Sequence, residues 1–107
     1  MNILFDQGTP VPLRRHLHPH SIDTVAERGW SSLVNGELLA AAIKDRYDVL
    51  VTTDQNLKHQ QNLSGLDFGI VVLLSTSWPR ISLEVEAIKL AIKKAAQGSL
   101  VEVPFPR

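Results

Sequence analysis

The sequence contains no cysteine, which excludes a disulfide framework, thiolate zinc sites and cysteine nucleophiles. It also lacks an excess of either charge, since eleven Lys and Arg residues balance eleven Asp and Glu. No global positive field marks the chain as a binder of nucleic acid or anionic membrane, so a polyanion would have to be held locally. Apolar stretches long enough to span a bilayer are missing. The opening MNILFDQGTPVP meets a charge and two prolines too early for a signal peptide. Repeats, low-complexity tracts and linkers are absent as well. The expectation is a soluble cytoplasmic protein with no membrane partner. Its 107 residues, 44% of them hydrophobic, suffice for one domain with a modest core.

What is present alternates between two periods. Residues 2–5 form a short apolar run, and Gly8-Thr9-Pro10 then supplies a turn, a candidate N-cap and a proline suited to a first helical turn. The following helix carries Leu13 and Leu17 on one face and ends before Pro19. A second strand is expected over 20–25 and a loop over 26–34. Asn35 is placed as the cap of a helix over 36–46, in which Leu38, Leu39, Ala42 and Ile43 recur at helical spacing. Strands over 48–52 and 69–74 lack polar alternation, as expected where a sheet is covered on both faces. A long helix over 81–97, with Val85, Ile88, Ile92 and Ala95 as its apolar stripe, closes at Gly98. A last strand covers 100–103. This pattern predicts an α/β fold of three layers, α/β/α, around a mostly parallel five-stranded sheet.

In such sheets ligands bind beyond the carboxyl ends of the strands, where the strand order reverses. Asp6 follows the first strand and Asp54 the third, so an order near 2-1-3-4-5 sets them side by side. Glu37, in the first turn of the helix entering strand three, is positioned to reach the same edge. Clustered carboxylates repel one another and favour a bound cation. Oxygen ligands without His or Cys select Mg2+ or Mn2+ over zinc. Such an ion activates water for phosphodiester hydrolysis without a covalent intermediate.

Three motifs, LFDQGTP around Asp6, NGELL around Glu37 and LVTTDQNL around Asp54, together resemble the PIN-like ribonuclease superfamily. The nearest likeness is to short bacterial members related to toxin-antitoxin toxins, and it runs over about residues 3–74. The resemblance implies that Asp6, Glu37 and Asp54 are the catalytic metal ligands and that Thr52 offers a hydroxyl behind them. It further implies RNA as substrate, an antitoxin-like protein partner and pairing into a homodimer. Three positions depart from the family pattern, each removing an acid: Asn56 beyond the last aspartate, Gln7 after the first, and Asn35 at the helix start. Fewer acids imply weaker binding of a single ion. They also keep open an alternative, a catalytically degenerate PIN-like domain that binds RNA or a protein without cleaving.

Other residues invite weaker readings. Arg14, Arg15, Lys58 and the amide-rich run from Gln60 through Gln61 to Asn62 are candidate contacts to an RNA backbone, against the ordinary reading of a solvated face. His16, His18 and His20 alternate around Pro19, and residues two apart on a helix point in different directions, so surface or capping roles are expected. Trp30 and Trp78 fall near predicted loops, where base stacking competes with core packing. Ser75, Thr76 and Ser77 after strand four suggest a phosphoacceptor receiver domain, but no lysine follows the last strand.

Overall fold

The computed structural model describes residues 1–56 and 66–106. Five strands among them pair in parallel throughout: β1 (Asn2–Phe5), β2 (Ser21–Thr24), β3 (Val49–Thr52), β4 (Gly69–Leu73) and β5 (Leu100–Val103). Their order is β2-β1-β3-β4-β5, the α/β arrangement expected from the sequence. Ile3 to Phe5 register with Val49 to Val51, and Val49 to Thr52 register with Gly69 to Val72. β3 and β4 are buried along their whole length, which is why neither shows polar alternation.

One face of the sheet packs Ile3, Phe5, Val49, Val51, Val71 and Leu73 against Leu13 and Leu17 and against Ile88, Ile92 and Ala95. The other packs Leu4, Leu50, Ile70 and Val72 against Leu38, Leu39 and Ala42, with Val25, Tyr47 and Phe68. The connection from β1 to β2 therefore runs on one face and that from β2 to β3 on the other. This opens a crevice between β1 and β3 at their carboxyl ends.

Several boundaries differ from the sequence expectation. Residues Val11–Leu17 form a 3-10 helix rather than an α-helix. Pro12 in its first turn donates no N–H, and Thr9 does not cap it. α1 spans Asn35–Lys44 with Val34 at the N-cap and no side-chain cap, so Asn35 is the first helical residue rather than the cap. The helix expected over 81–97 starts earlier and is divided. α2 covers Trp78–Ile81, a 3-10 turn covers Ser82–Glu84, and α3 covers Val85–Ala95. The Ser82 hydroxyl donates to the Pro79 carbonyl at 2.8 Å, a back-bond of the kind that bends helices.

The expected 26–34 loop contains one fully capped turn. The Thr24 hydroxyl accepts from the Glu27 N–H, and the Glu27 carboxylate accepts from the Thr24 N–H, a reciprocal capping box. Bonds from the Gly29 N–H to the Ala26 carbonyl and from the Trp30 N–H to the Val25 carbonyl close it in a Schellman pattern. Trp30 then packs edge-on to Tyr47, ring centroids 6.2 Å apart, with the Arg28 guanidinium 4.4 Å above the Trp30 ring. Core packing is the observed use of Trp30, and Trp78 likewise packs against the first core face, 5.7 Å from the His16 ring.

Two positions expose this packing to test. α1 ends in the same Schellman pattern, with Tyr47 N–H to the Ala42 carbonyl and Arg46 N–H to the Ile43 carbonyl. Arg46 occupies the left-handed position at φ 64°, where an L side chain is disfavoured. Arg46→Gly is expected to raise stability by about 0.5–1 kcal/mol in urea denaturation. At Gly69 an added Cβ would lie 1.8 Å from the Ala95 carbonyl oxygen. Gly69→Ala is expected to destabilise by about 1–3 kcal/mol in the same assay, because strand and helix backbones must separate.

Candidate functional site

At the reversal of strand order, the loop leaving β1 is clipped to the end of β3. The Asp6 N–H and the Thr9 hydroxyl both donate to the Val51 carbonyl, at 2.9 and 3.1 Å. The Thr9 N–H turns back to the Asp6 carbonyl at 3.2 Å. Gly8 lies in this turn at φ 88°, and a Cβ there would come within 2.6 Å of the Thr53 hydroxyl, so both conformation and space require glycine.

Thr52, fully buried at the end of β3, joins the two aspartates. Its hydroxyl donates to Asp6 Oδ2 at 2.8 Å and accepts from the Asp54 N–H at 3.0 Å. The remaining Asp6 oxygen accepts from the Gln7 N–H at 2.8 Å. Asp54 Oδ1 accepts from the Asn56 N–H at 3.0 Å, so the turn-capping role open to any aspartate at this position is fulfilled by one of its oxygens. Both carboxylates are half-buried. They face a cleft of about 240 Å³ lined also by Gln7, Ser31, Leu33, Val34 and Leu38.

The structure thus brings Asp6, Asp54 and Gln7 to one cleft, with Thr52 behind them. Glu37 sits in the first turn of α1 as expected, but it is exposed and does not line the cleft, whereas Val34 and Leu38 from the same helix do. Among the described residues no three His, Cys, Asp or Glu side chains form a metal-holding group. Two carboxylates that follow adjacent strands and line one cleft still match the usual protein share of a magnesium site, in which water and substrate oxygens complete the shell. Ser31, in the segment expected as a loop, lines the cleft because the capped turn at Thr24 directs the chain back to α1. The Thr-x-x-Glu pattern followed by Gly29 was the available signal.

The expected cationic contacts divide. Arg14 forms a forked ion pair with Glu27, and this guanidinium, with the Thr24 N–H, draws the Glu27 carboxyl well below its ordinary value of 4.5. Arg15 is exposed beside Val11, Pro12 and Arg14. Lys58, Gln60, Gln61 and Asn62 lie outside the described residues. The three histidines do not converge: His16 packs on Trp78, and His20 Nδ1 sits 3.2 Å from the Met1 amino group. No helix among the described residues is long and apolar enough to cross a membrane.

Thr52→Val keeps the shape of the side chain but leaves Asp6 Oδ2 and the Asp54 N–H without their partner, so a loss of about 1–3 kcal/mol is expected on chemical denaturation. Glu27 carries stability that is present above its unfolded value and is lost only as pH falls through its depressed folded one. Its carboxyl resonance is expected to titrate well below 4.5 and to return towards 4.5 in Arg14→Ala. No family model matches the chain, and neither a curated protein nor a solved structure does.

Proposed function

We propose that the cleft between β1 and β3 is the site of a metal-dependent ribonuclease, hydrolysing RNA phosphodiester bonds with Mg2+ or Mn2+ held by Asp6 and Asp54. The observation that carries this reading is the coupling of the two half-buried carboxylates through the Thr52 hydroxyl, at the crevice where α/β sheets bind ligands. When bound, the divalent ion supplies Lewis acidity towards water and the phosphoryl group.

Asp6 and Asp54 would hold it from the segments that leave the adjacent strands β1 and β3. Thr52 and the Gln7 N–H fix the Asp6 carboxylate, and the Asn56 N–H fixes that of Asp54, so neither has to reorganise when substrate arrives. Gln7 and Ser31 offer uncharged polar groups to the nucleotide, while Leu33, Val34 and Leu38 form an apolar wall. Glu37, beside Leu38 in the first turn of α1, is exposed outside the cleft lining and is assigned a supporting role. The resemblance to toxin-antitoxin nucleases makes an antitoxin-like protein the natural partner and the cytoplasm the natural compartment.

The position of Glu37 outside the cleft lining favours a second reading, a PIN-like domain that retains the crevice and binds RNA or a protein without cleavage. Manganese-stimulated cleavage of single-stranded RNA separates the two. Under the first reading the wild-type chain cleaves, Asp6→Asn and Asp54→Asn abolish cleavage while keeping the fold, and Thr52→Val weakens manganese binding about 10- to 100-fold. RNA binding with no cleavage at any manganese concentration supports the second. Undiminished cleavage in both asparagine variants removes the site altogether.

A further inference from the structure

A second concavity lies at the opposite end of the sheet. Met1 precedes β1 and His20 precedes β2, so the groove they share with Leu17, His18 and the α3 residues Glu86, Lys89, Leu90 and Lys93 opens beyond the amino ends of the strands. Asp6 and Asp54 stand at the carboxyl ends. The groove holds about 400 Å³, within the ~300–1,000 Å³ typical of small-molecule sites.

Its floor is apolar: Leu17 is 1% exposed and belongs to the core. Leu90 stands out on α3. Its neighbours Ile88, Ala91 and Ile92 are buried, yet Leu90 is 70% exposed and forms one wall. The rim is cationic. Lys89 is offset by Glu86 at 3.3 Å, whereas Lys93 makes no ion pair among the described residues. Burial, then the neighbouring amino-terminal charge, lowers the His20 pKa, so at neutral pH its ring offers hydrogen bonding without charge.

From this apolar floor rimmed by two ammonium groups that pair with no carboxylate among the described residues, those of Met1 and Lys93, we infer that the groove binds a small anionic amphiphile, an alkyl or aryl carboxylate whose body covers Leu17 and Leu90 while its head meets Lys93. A volume of about 400 Å³ suits a single small molecule.

Octanoate is the probe, titrated into the full chain and followed by side-chain NMR, with acetate and 1-octanol as head-only and tail-only controls. Saturable shifts at Leu17, His20 and Leu90 are expected at submillimolar octanoate, with both controls at least about tenfold weaker. Lys93→Gln is expected to weaken octanoate about tenfold. Lys94→Gln, which removes the same charge from the same helix end without touching the groove, leaves affinity unchanged, as does Asp54→Asn in the other cleft. Octanol binding as tightly as octanoate, equal losses in the two lysine variants, shifts confined to residues outside the groove, or no saturable binding at millimolar octanoate would each overturn the assignment.

Discussion

The Thr52 hydroxyl is the point at which sheet and site become one structure. Buried at the carboxyl end of β3, it gives its proton to Asp6 and receives the Asp54 N–H. A buried hydroxyl left without partners costs about 1–3 kcal/mol, so satisfying Thr52 requires the chain after β1 and the chain after β3 to stay in register. The same register is enforced from the main chain, where the Val51 carbonyl accepts from both Asp6 and Thr9. The two aspartates are therefore held by the stability of the sheet itself rather than by a flexible loop.

That constraint explains where polarity is placed in an otherwise apolar centre. β3 and β4 are buried on both faces, and their side chains alternate between two separate cores. Polar groups can enter only where the strands end. The crossovers on opposite faces leave a gap between β1 and β3, and the capped turn from Thr24 to Trp30 sets the rim of that gap before α1 begins. The Asp23, Arg28, Asp45 and Tyr47 side chains anchor this turn from below: the Tyr47 hydroxyl donates to Asp23 at 2.6 Å, and Arg28 bonds both the Tyr47 hydroxyl and Asp45.

Much of this was legible in the chain. The unbroken Val-Leu-Val of β3 and Ile-Val-Val of β4 announced a covered parallel sheet, and an aspartate following each of two strands located the crevice once the strand order was inferred. The phase of α1 was not legible to the same depth. Successive residues on a helix differ by about 100°, so a shift of one residue in its start decides whether Glu37 or Leu38 faces the cleft. Asn35 has the composition of a cap, but the helix begins one residue earlier than expected, at Asn35, with Val34 as its N-cap and no side-chain cap. The division of the C-terminal helix turned on a local competition, the Ser82 hydroxyl bonding to Pro79, that apolar periodicity does not record. The ion pair of Arg14, a candidate RNA contact in the sequence, is not legible there because its partner, Glu27, lies thirteen residues away in a segment that carries no apolar periodicity.

The central claim is that Asp6 and Asp54 act as one cation-binding unit at the carboxyl edge. Paramagnetic broadening by substoichiometric Mn2+ measures this most directly, because the effect falls steeply with distance from the ion. The account predicts early loss of amide signals at Asp6, Gln7 and Thr52 through Asp54, with the amino-end groove around His18 and His20 unaffected. Broadening that begins at the histidines, or none at the two aspartates at millimolar Mn2+, would contradict it.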